Sequence, residues 1–151
     1  MNKLAVVITL LLAGAGCAQP GVPDADVEFL ASDEFTALGL PFSEAVRVGN
    51  TLYLSGQIGN LPGTFDLIPG GVTPETEQTL KNISSILARY DSGLDRVVKC
   101  TVFLVDIGEW PAVNAVYRTF FEPPYPARSA VAGTGLALGA RVEIECIATV
   151  D

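Results

Sequence analysis

Arg128 is the residue in this sequence whose type and surroundings most directly indicate a binding site. It lies in a β-like run, and Ala130 and Ala132 fall on its face of the strand because side chains alternate. A guanidinium group beside small side chains leaves open volume next to a donor pair that can bind a planar anion. Glu143 and Glu145 share a face of the last predicted strand, so carboxylates are available as well.

The same residues allow a simpler interpretation. Arg141, Glu143 and Glu145 could form a solvated face of the last strand, and Arg128 could pair with one of these acids. Exposed ion pairs of this kind are common and contribute little to stability. Spacing alone favours this charged surface over a binding site.

Composition excludes several kinds of site. The sequence has no histidine, which excludes a Ser-His-Asp or Cys-His nucleophile pair, a histidine metal ligand and a paired-histidine ribonuclease site. We expect neither a metal nor a cofactor. The formal charge of −8, from 9 basic and 17 acidic residues, argues against nucleic acid as a partner, because affinity for a phosphate backbone comes from clustered lysine and arginine.

The first 25 residues have the pattern of an export signal followed by a tether. Lys3 precedes an apolar run from Leu4 to Ala15, whose 12 residues are too few to cross a bilayer core as a helix. The Gly-Ala-Gly-Cys sequence that ends at Cys17 resembles a bacterial lipobox. We predict a signal peptide over residues 1–16 and a lipidated Cys17 at the start of a Pro/Gly-rich tether over residues 17–25. The alternatives are an ordinary signal peptide and a buried N-terminal strand.

This signal predicts an exported protein, held by its lipid on the periplasmic face of a membrane. Ala18 follows Cys17 in place of the aspartate that is often associated with inner-membrane retention, which favours the outer membrane. If Cys17 is lipidated, Cys100 and Cys146 are the remaining cysteines. Both lie in apolar β-like runs, so they are two small core residues or, since export permits it, a disulfide.

Hydrophobic periodicity predicts one domain over residues 26–151, with the order β-β-α-β-α-β-β. The predicted elements are a hairpin of Glu44 to Val48 and Thr51 to Ser55, a helix from Thr73, as N-cap, to Gly93, a strand from Val97 to Asp106, a helix that starts between Glu109 and Pro111, and strands from Ala127 to Gly133 and from Ala140 to Val150. The pattern is typical of an α+β fold, a mixed β-sheet with two helices packed on one face.

Four short sequences, taken together and in order, resemble a known family. They are Ser55-Gly56-Gln57-Ile58, Val113-Asn114-Ala115-Val116-Tyr117 with Phe120-Phe121, Pro126-Ala127-Arg128-Ser129, and Val142-Glu143-Ile144-Glu145. In this combination the sequence resembles the Rid family, also called YjgF, of reactive-intermediate (enamine/imine) deaminases. The resemblance covers about Phe35 to Val150.

The resemblance implies a YjgF/chorismate-mutase-like homotrimer with ligand clefts between subunits. It implies hydrolysis of small 2-imino acids, such as 2-iminopropanoate and 2-iminobutanoate, to 2-oxo acids and ammonia. Arg128 would bind the substrate carboxylate with the N–H of Gly56, and Glu143 would activate the attacking water. Ser55 and Asn114 would line the cleft, although each could instead bond only to the backbone.

Two positions in the implied cleft depart from the family pattern. Phe42 stands where many members carry a tyrosine, and Ala130 stands where many carry a cysteine. Both changes make the substrate-binding pocket more apolar. They suggest a different substrate or a weaker turnover.

Two other functions stay open at this point. A non-catalytic trimer that binds a small 2-oxo acid-like molecule would keep the clefts and the arginine, and it fits the missing tyrosine hydroxyl and the export signal. The older family label of endoribonuclease or translation inhibitor fits poorly with the negative charge, the export signal and the absence of histidine.

Overall fold

The architecture is a mixed β-sheet with helices packed against it. A computed structural model of the chain describes residues 26–151, and the predicted signal peptide, Cys17 and the tether lie outside these residues. The α+β fold predicted from the sequence is confirmed. No helix in the described part of the chain is long and apolar enough to cross a membrane.

Seven strands form a single sheet. They are β1 (Val27–Leu30), β2 (Ala45–Val48), β3 (Thr51–Leu54), β4 (Gln57–Ile58), β5 (Val97–Leu104), β6 (Ala127–Ala132) and β7 (Val142–Thr149). The order across the sheet is β1-β2-β3-β7-β5-β6, and β4 pairs with β7 beyond the end of β3. The β5–β6 pair is parallel and the other pairs are antiparallel, because α3 lies in the connection from β5 to β6.

Two of the three α-helices cover one face of this sheet. The α-helices are the short α1 (Asp33–Ala37) and the two long ones that cover the sheet, α2 (Val72–Arg89) and α3 (Trp110–Phe120). The predicted apolar positions Leu80, Ile83 and Leu87 are fully buried on α2, and Val113 is fully buried on α3. These side chains form one core cluster with alternate residues of the sheet.

The centre of the sheet is the antiparallel pair β5–β7. Every second residue of β7 from Val142 to Ala148 is buried, as are Cys100, Val102 and Leu104 on β5. Cys100 lies directly opposite Cys146, with a Cα–Cα distance of 4.1 Å, and the two form a disulfide. The structure thus selects the disulfide over the pair of free core cysteines that the sequence also allowed.

The predicted order omits three short elements. β1 was missed because it is a short edge strand without a buried face, in which Val27 and Phe29 are 52% and 76% exposed. α1 was missed because it has five residues, with the Ser32 hydroxyl accepting a hydrogen bond from the Phe35 N–H as its cap. β4 has only two residues.

The start of α2 also differs from the prediction. Gly71, with φ of 89°, is the N-cap, and the helix begins at Val72, so Thr73 is not the cap. The positive φ at Gly71 turns the chain into the helix two residues earlier than the Thr-Pro-Glu signal indicated. The buried carboxylate of Glu75 then accepts a hydrogen bond of 2.8 Å from the Arg141 N–H, which ties α2 to the start of β7.

We expect the disulfide to contribute strongly to stability. Cys100 and Cys146 are 46 residues apart in sequence, and closing a loop of this length in the unfolded chain is worth about 4 kcal/mol in the chain-entropy model. Chemical unfolding of the protein with and without a reductant should give a free energy of unfolding that is lower by about 2–4 kcal/mol after reduction.

The double variant Cys100→Ala/Cys146→Ala is the control for this measurement. Its stability should not respond to the reductant. An equal free energy of unfolding for the oxidised and reduced wild-type protein would contradict a stabilising disulfide.

Candidate functional site

Arg128 lies in a small aromatic cavity between β6 and α3. The cavity has a volume of about 290 Å³ and is also lined by Trp110, Asn114, Tyr117 and Tyr125. The guanidinium carbon is 4.6 Å from the ring centroid of Tyr117 and 5.9 Å from that of Trp110. Arginine over aromatic faces is held by cation–π attraction, which fixes the direction of the guanidinium group.

Asn114 completes the support of Arg128. Its side-chain oxygen accepts a hydrogen bond from Nη2 of Arg128. Among the described residues Arg128 forms no salt bridge, and Arg141, the arginine next to the last strand, pairs with Glu109. The interpretation in which Arg128 only neutralises an acid of the last strand therefore does not hold, and the remaining guanidinium donors are available to an anion.

Tyr117 is a buried part of this support. It is 4% exposed, and its hydroxyl is a buried group without a hydrogen-bond partner among the described residues. Burial raises the pKa of Tyr117 to about 12, an effect that the positive charge of Arg128 partly offsets. The ring therefore stays a neutral phenol at physiological pH and presents its face to the guanidinium group.

Glu143 lies in a second, larger cavity. This cavity has a volume of about 510 Å³, and Gly56 and Phe42 also line it. Burial, and then the negative charge of Glu145, raises the pKa of Glu143 above its ordinary value. A half-buried carboxylate with a raised pKa in a cavity has the properties of a general base, because its proton affinity lies closer to neutral pH.

Gly56 is the residue that lets the Glu143 carboxylate occupy its position. A Cβ atom built on Gly56 would lie 2.9 Å from the carboxyl carbon of Glu143, so any side chain at this position would displace the carboxylate. The backbone of Gly56 therefore contacts the carboxylate directly. This requirement explains the glycine here by close approach rather than by a turn.

Arg128 and Glu143 do not meet within one chain. Arg128 is in register with Cys100, which is in register with Cys146, three residues from Glu143 along β7. Two strand spacings and three residues separate their Cα atoms by about 14 Å, and the odd residue count places the two side chains on opposite faces of the sheet. The two cavities have no lining residue in common.

The other residues predicted for the site are divided in the same way. Asn114 lies with Arg128, while Phe42, 50% exposed, lies with Glu143. Ala130 is half-buried on β6, two residues after Arg128 and on the same face. The hydroxyl of Ser55 donates to the backbone oxygen of Ser43 at 2.6 Å, and Ser55 lines neither of these two cavities.

Comparison with known proteins assigns the family. The family model described as Endoribonuclease L-PSP matches residues 33–150. A mouse protein named 2-iminobutanoate/2-iminopropanoate deaminase is 45% identical over 108 residues, which are 72% of this chain and 80% of the mouse protein. The chain belongs to the Rid/YjgF (L-PSP) family.

Solved structures of Rid proteins agree with this assignment. RidA from the Antarctic bacterium Psychrobacter sp. is 35% identical, with a TM-score of 0.71 over 84% of this chain and 98% of its own. Escherichia coli TdcF, solved with bound serine, is 30% identical, with a TM-score of 0.69 over 74% of this chain and 90% of its own.

Sequence reasoning missed two parts of the Rid site. Trp110 and the contact of Tyr117 with Arg128 were not predicted, although Trp110, Asn114 and Tyr117 follow the i, i+4, i+7 spacing that places residues on one helix face. The wall of the larger cavity was also missed, because it combines residues from α1, α2 and the loops around β4 that have no common sequence pattern. The described residues contain no cluster that could bind a metal ion.

We expect the raised pKa of Glu143 to depend on Glu145. Glu145→Gln removes a neighbouring negative charge and should lower the pKa of Glu143, whereas Glu77→Gln on α2, where Glu77 pairs with Lys81, should not. Carbon NMR titration of the glutamate carboxyl groups measures both. An unchanged pKa in Glu145→Gln would show that burial alone causes the shift.

Proposed function

We propose that this protein is a Rid deaminase that hydrolyses 2-imino acids to 2-oxo acids and ammonia. The observation that carries the proposal is that the chain contains both a rigid arginine with donors left for an anion and a desolvated carboxylate that can accept a proton. The name of the mouse relative supports the same reaction, and the serine bound to TdcF is a small carboxylated amine.

Arg128 binds the substrate carboxylate in this proposal. Trp110, Tyr117 and Asn114 hold the guanidinium group before the substrate arrives, so little side-chain entropy is lost on binding. Two parallel charge-assisted hydrogen bonds would fix the plane of the carboxylate and hence the orientation of the imine carbon next to it.

Glu143 activates water for the chemical step. The carboxylate accepts a proton from water while the water oxygen forms a bond to the imine carbon, and the electrons of the C=N bond move to nitrogen. Glu143 then returns the proton to that nitrogen. In the resulting aminol, Glu143 accepts the hydroxyl proton and transfers it to the amino nitrogen, so that the C=O bond forms as the C–N bond breaks and ammonia leaves. An imine carbon is electrophilic, so one positioned base and one anion clamp are sufficient.

The active site is proposed to form between copies in a homotrimer. The side chains of Arg128 and Glu143 lie on opposite faces of one sheet, and strand geometry separates their Cα atoms by about 14 Å. The two residues of one chain therefore cannot contact the same small substrate. A second copy that brings its Arg128 cavity to the Glu143 cavity of the first would complete the site.

The uncovered face of the sheet offers a surface for this assembly. Phe29, Val46, Tyr53 and Ile147 are in register across β1, β2, β3 and β7 and form a continuous apolar row on the face away from the helices. Phe29 is 76% exposed and Tyr53 is 46% exposed in the single chain. Contiguous exposed apolar residues of this kind mark a surface that another protein chain covers.

A binding protein without catalysis is the second candidate. The apolar replacements Phe42 and Ala130 favour it, since neither side chain can hydrogen-bond to an attacking water. The state of Glu143 favours the enzyme instead, because a desolvated carboxylate with no hydrogen-bond partner among residues 26–151 costs stability and contributes nothing to holding an anionic 2-oxo acid. The formal charge of −8 disfavours RNA as the substrate for either candidate.

The proposed reaction and the shared site are tested together by complementation. Arg128→Ala should lower kcat/KM for imine hydrolysis by at least about 100-fold, through the loss of charge-assisted bonds, and Glu143→Ala by about 100-fold or more through the loss of the base. When equal amounts of the two inactive variants are refolded together, about one quarter of the wild-type activity should return, because one site in four joins an intact Arg128 to an intact Glu143.

Each outcome of the mixing experiment has a distinct meaning. Inactive mixtures would contradict a site shared between copies. A wild-type protein that binds 2-oxo acids through Arg128 but accelerates the hydrolysis of no imine would contradict the deaminase and establish the binding protein.

We also propose that the enzyme is exported and anchored through lipid on Cys17, with the outer membrane as the expected location. The buried disulfide Cys100–Cys146 supports export, because disulfides form and persist in oxidising compartments and are rare in the cytosol. The lipid would hold the domain near the membrane surface through the tether over residues 17–25.

Membrane fractionation of a bacterium that expresses the full chain tests the anchor. The protein should be in the membrane fraction, and the mass of its N-terminal peptide should show an acylated Cys17. Cys17→Ser should lose the acyl mass and leave the membrane. If Cys17→Ser is exported and cleaved at the same position as the wild type, the segment is an ordinary signal peptide.

A further inference from the structure

The larger cavity extends far beyond the groups that the proposed reaction needs. Gly56 and Glu143 lie at one part of its wall, and the rest reaches along α1, α2 and the loop that follows β4, for a total volume of about 510 Å³. This volume is typical of pockets that enclose whole drug-sized ligands. The methyl or ethyl side chain of a small imino acid would leave most of it empty.

The wall of this extension is apolar. Its large side chains are Phe35, Leu38, Leu40, Phe42, Phe65 and Leu138. Phe42, Phe65 and Leu138 are 50%, 49% and 57% exposed, so they form an open apolar rim that water contacts in the empty cavity. Covering such a rim with an apolar group gains free energy in proportion to the area removed from water.

Most polar side chains in the wall are already bonded to the protein. The amide nitrogen of Asn82 donates to the backbone oxygens of Ile58 and Asn60, at 3.1 Å and 3.0 Å. The buried carboxylate of Glu44 accepts hydrogen bonds from Arg89 and, at 2.6 Å, from the hydroxyl of Tyr90. Because these groups are satisfied, they do not require a polar ligand.

The polar wall residues that remain are solvated or catalytic. Glu34 and Ser85 are exposed to solvent. Glu143 is the group that the proposed reaction uses. A ligand that enters the extension therefore meets apolar surface and internally paired polar groups, with its reactive end at Glu143.

The conformation of Leu138 is a second observation that indicates a ligand in contact with this wall. It has φ of 56°, a left-handed conformation that costs a non-glycine residue strain. The surrounding backbone holds this strained leucine at the cavity with its side chain mostly exposed. Leu138 is 57% exposed in the single chain, and an apolar ligand would bury more of it.

We propose that the enzyme prefers 2-imino acids with a bulky apolar side chain, aromatic or long aliphatic, and that this side chain occupies the cavity extension. This inference rests on the proposed deaminase function. It goes beyond the names of the relatives, which specify imino acids with a methyl or an ethyl side chain. Phe42, which replaces the tyrosine of many family members, belongs to the same wall, so this replacement contributes to the preference for apolar substrates.

The test compares imines that differ only in their side chain. An amino acid oxidase generates the imines of alanine, leucine and phenylalanine in situ, and trapping with semicarbazide reports how fast the enzyme removes each one. The phenylalanine and leucine imines should exceed the alanine imine in kcat/KM by at least about tenfold, since each buried methylene is worth about 0.8 kcal/mol, or about fourfold. Equal or higher kcat/KM for the alanine imine would overturn the preference and leave the deaminase function intact.

A variant that narrows the extension locates the effect. Ser85→Phe places a ring at the cavity wall from an exposed helix position, and it should lower the ratio of phenylalanine to alanine kcat/KM by about tenfold. The matched control is Ala88→Phe, also exposed on α2 but outside the cavity wall, which should leave the ratio unchanged. If Ser85→Phe and the wild type have equal ratios, the side chain of the substrate does not occupy the cavity extension.

Binding separates this inference from the proposed reaction. 3-Phenyl-2-oxopropanoate and 2-oxopropanoate share the carboxylate and carbonyl and differ in the phenyl ring. Calorimetry should show tighter binding of the phenyl compound by at least about tenfold, and this difference should shrink in Ser85→Phe. If no imine is hydrolysed but this difference is found, the deaminase function fails and the apolar pocket stands. If 2-oxopropanoate binds equally well, the pocket inference fails.

Discussion

The antiparallel pairing of β5 with β7 is the constraint on which the rest of the molecule depends. The two strands are joined through the core by Cys100–Cys146, and their alternate residues form the inner surface against which α2 and α3 pack. Because a strand alternates strictly, this register also decides the direction of every functional side chain. Arg128 must face α3 through its register with Cys100, and Glu143 must face away.

This geometry separates the functional charges and gives each its own environment. Arg128 is surrounded by aromatic rings and an amide, which orient it without neutralising it. Glu143 is desolvated and repelled by Glu145, so its folded state favours the protonated form. The proton on Glu143 therefore stabilises the fold. This stabilisation is complete below the pKa that Glu143 has in the unfolded chain, and it is lost as the pH rises through the pKa that Glu143 has in the folded chain. An ionised Glu143 thus destabilises the fold at neutral pH. A group that costs stability in this way is typical of an active site.

The apolar surfaces of the single chain follow from the same division. One is the row from Phe29 to Ile147 on the uncovered sheet face, and the other is the rim of Phe42, Phe65 and Leu138 around the larger cavity. The first is flat and continuous, as a surface between chains requires, whereas the second is concave and ends at a carboxylate, as a substrate pocket requires. Assembly and substrate choice would thus use different apolar surfaces of one chain.

Local patterns in the sequence determined the elements and the chemistry. The hairpin of β2 and β3, the helices α2 and α3 and the strands β5, β6 and β7 follow from periodicity, since each buries a regular face. The short sequences around Gly56, Asn114, Arg128 and Glu143 identify the Rid family and supply the residues of the proposed site. The elements α1 and β4 were beyond such patterns because each has too few residues to show a period, and the edge strand β1 was missed because it has no buried face.

Only the tertiary structure decided how these residues are arranged in space. The pairing of Cys100 with Cys146 depends on the register of two strands that are distant in sequence, and no local signal encodes that register. The separation of Arg128 from Glu143 depends on the sheet order, in which β6 and β7 lie on either side of β5. The apolar cavity depends on residues around α1, β4, α2 and Leu138, which meet only after folding. Contacts of this kind are non-local, so they exist in the packed chain and not in any stretch of its sequence.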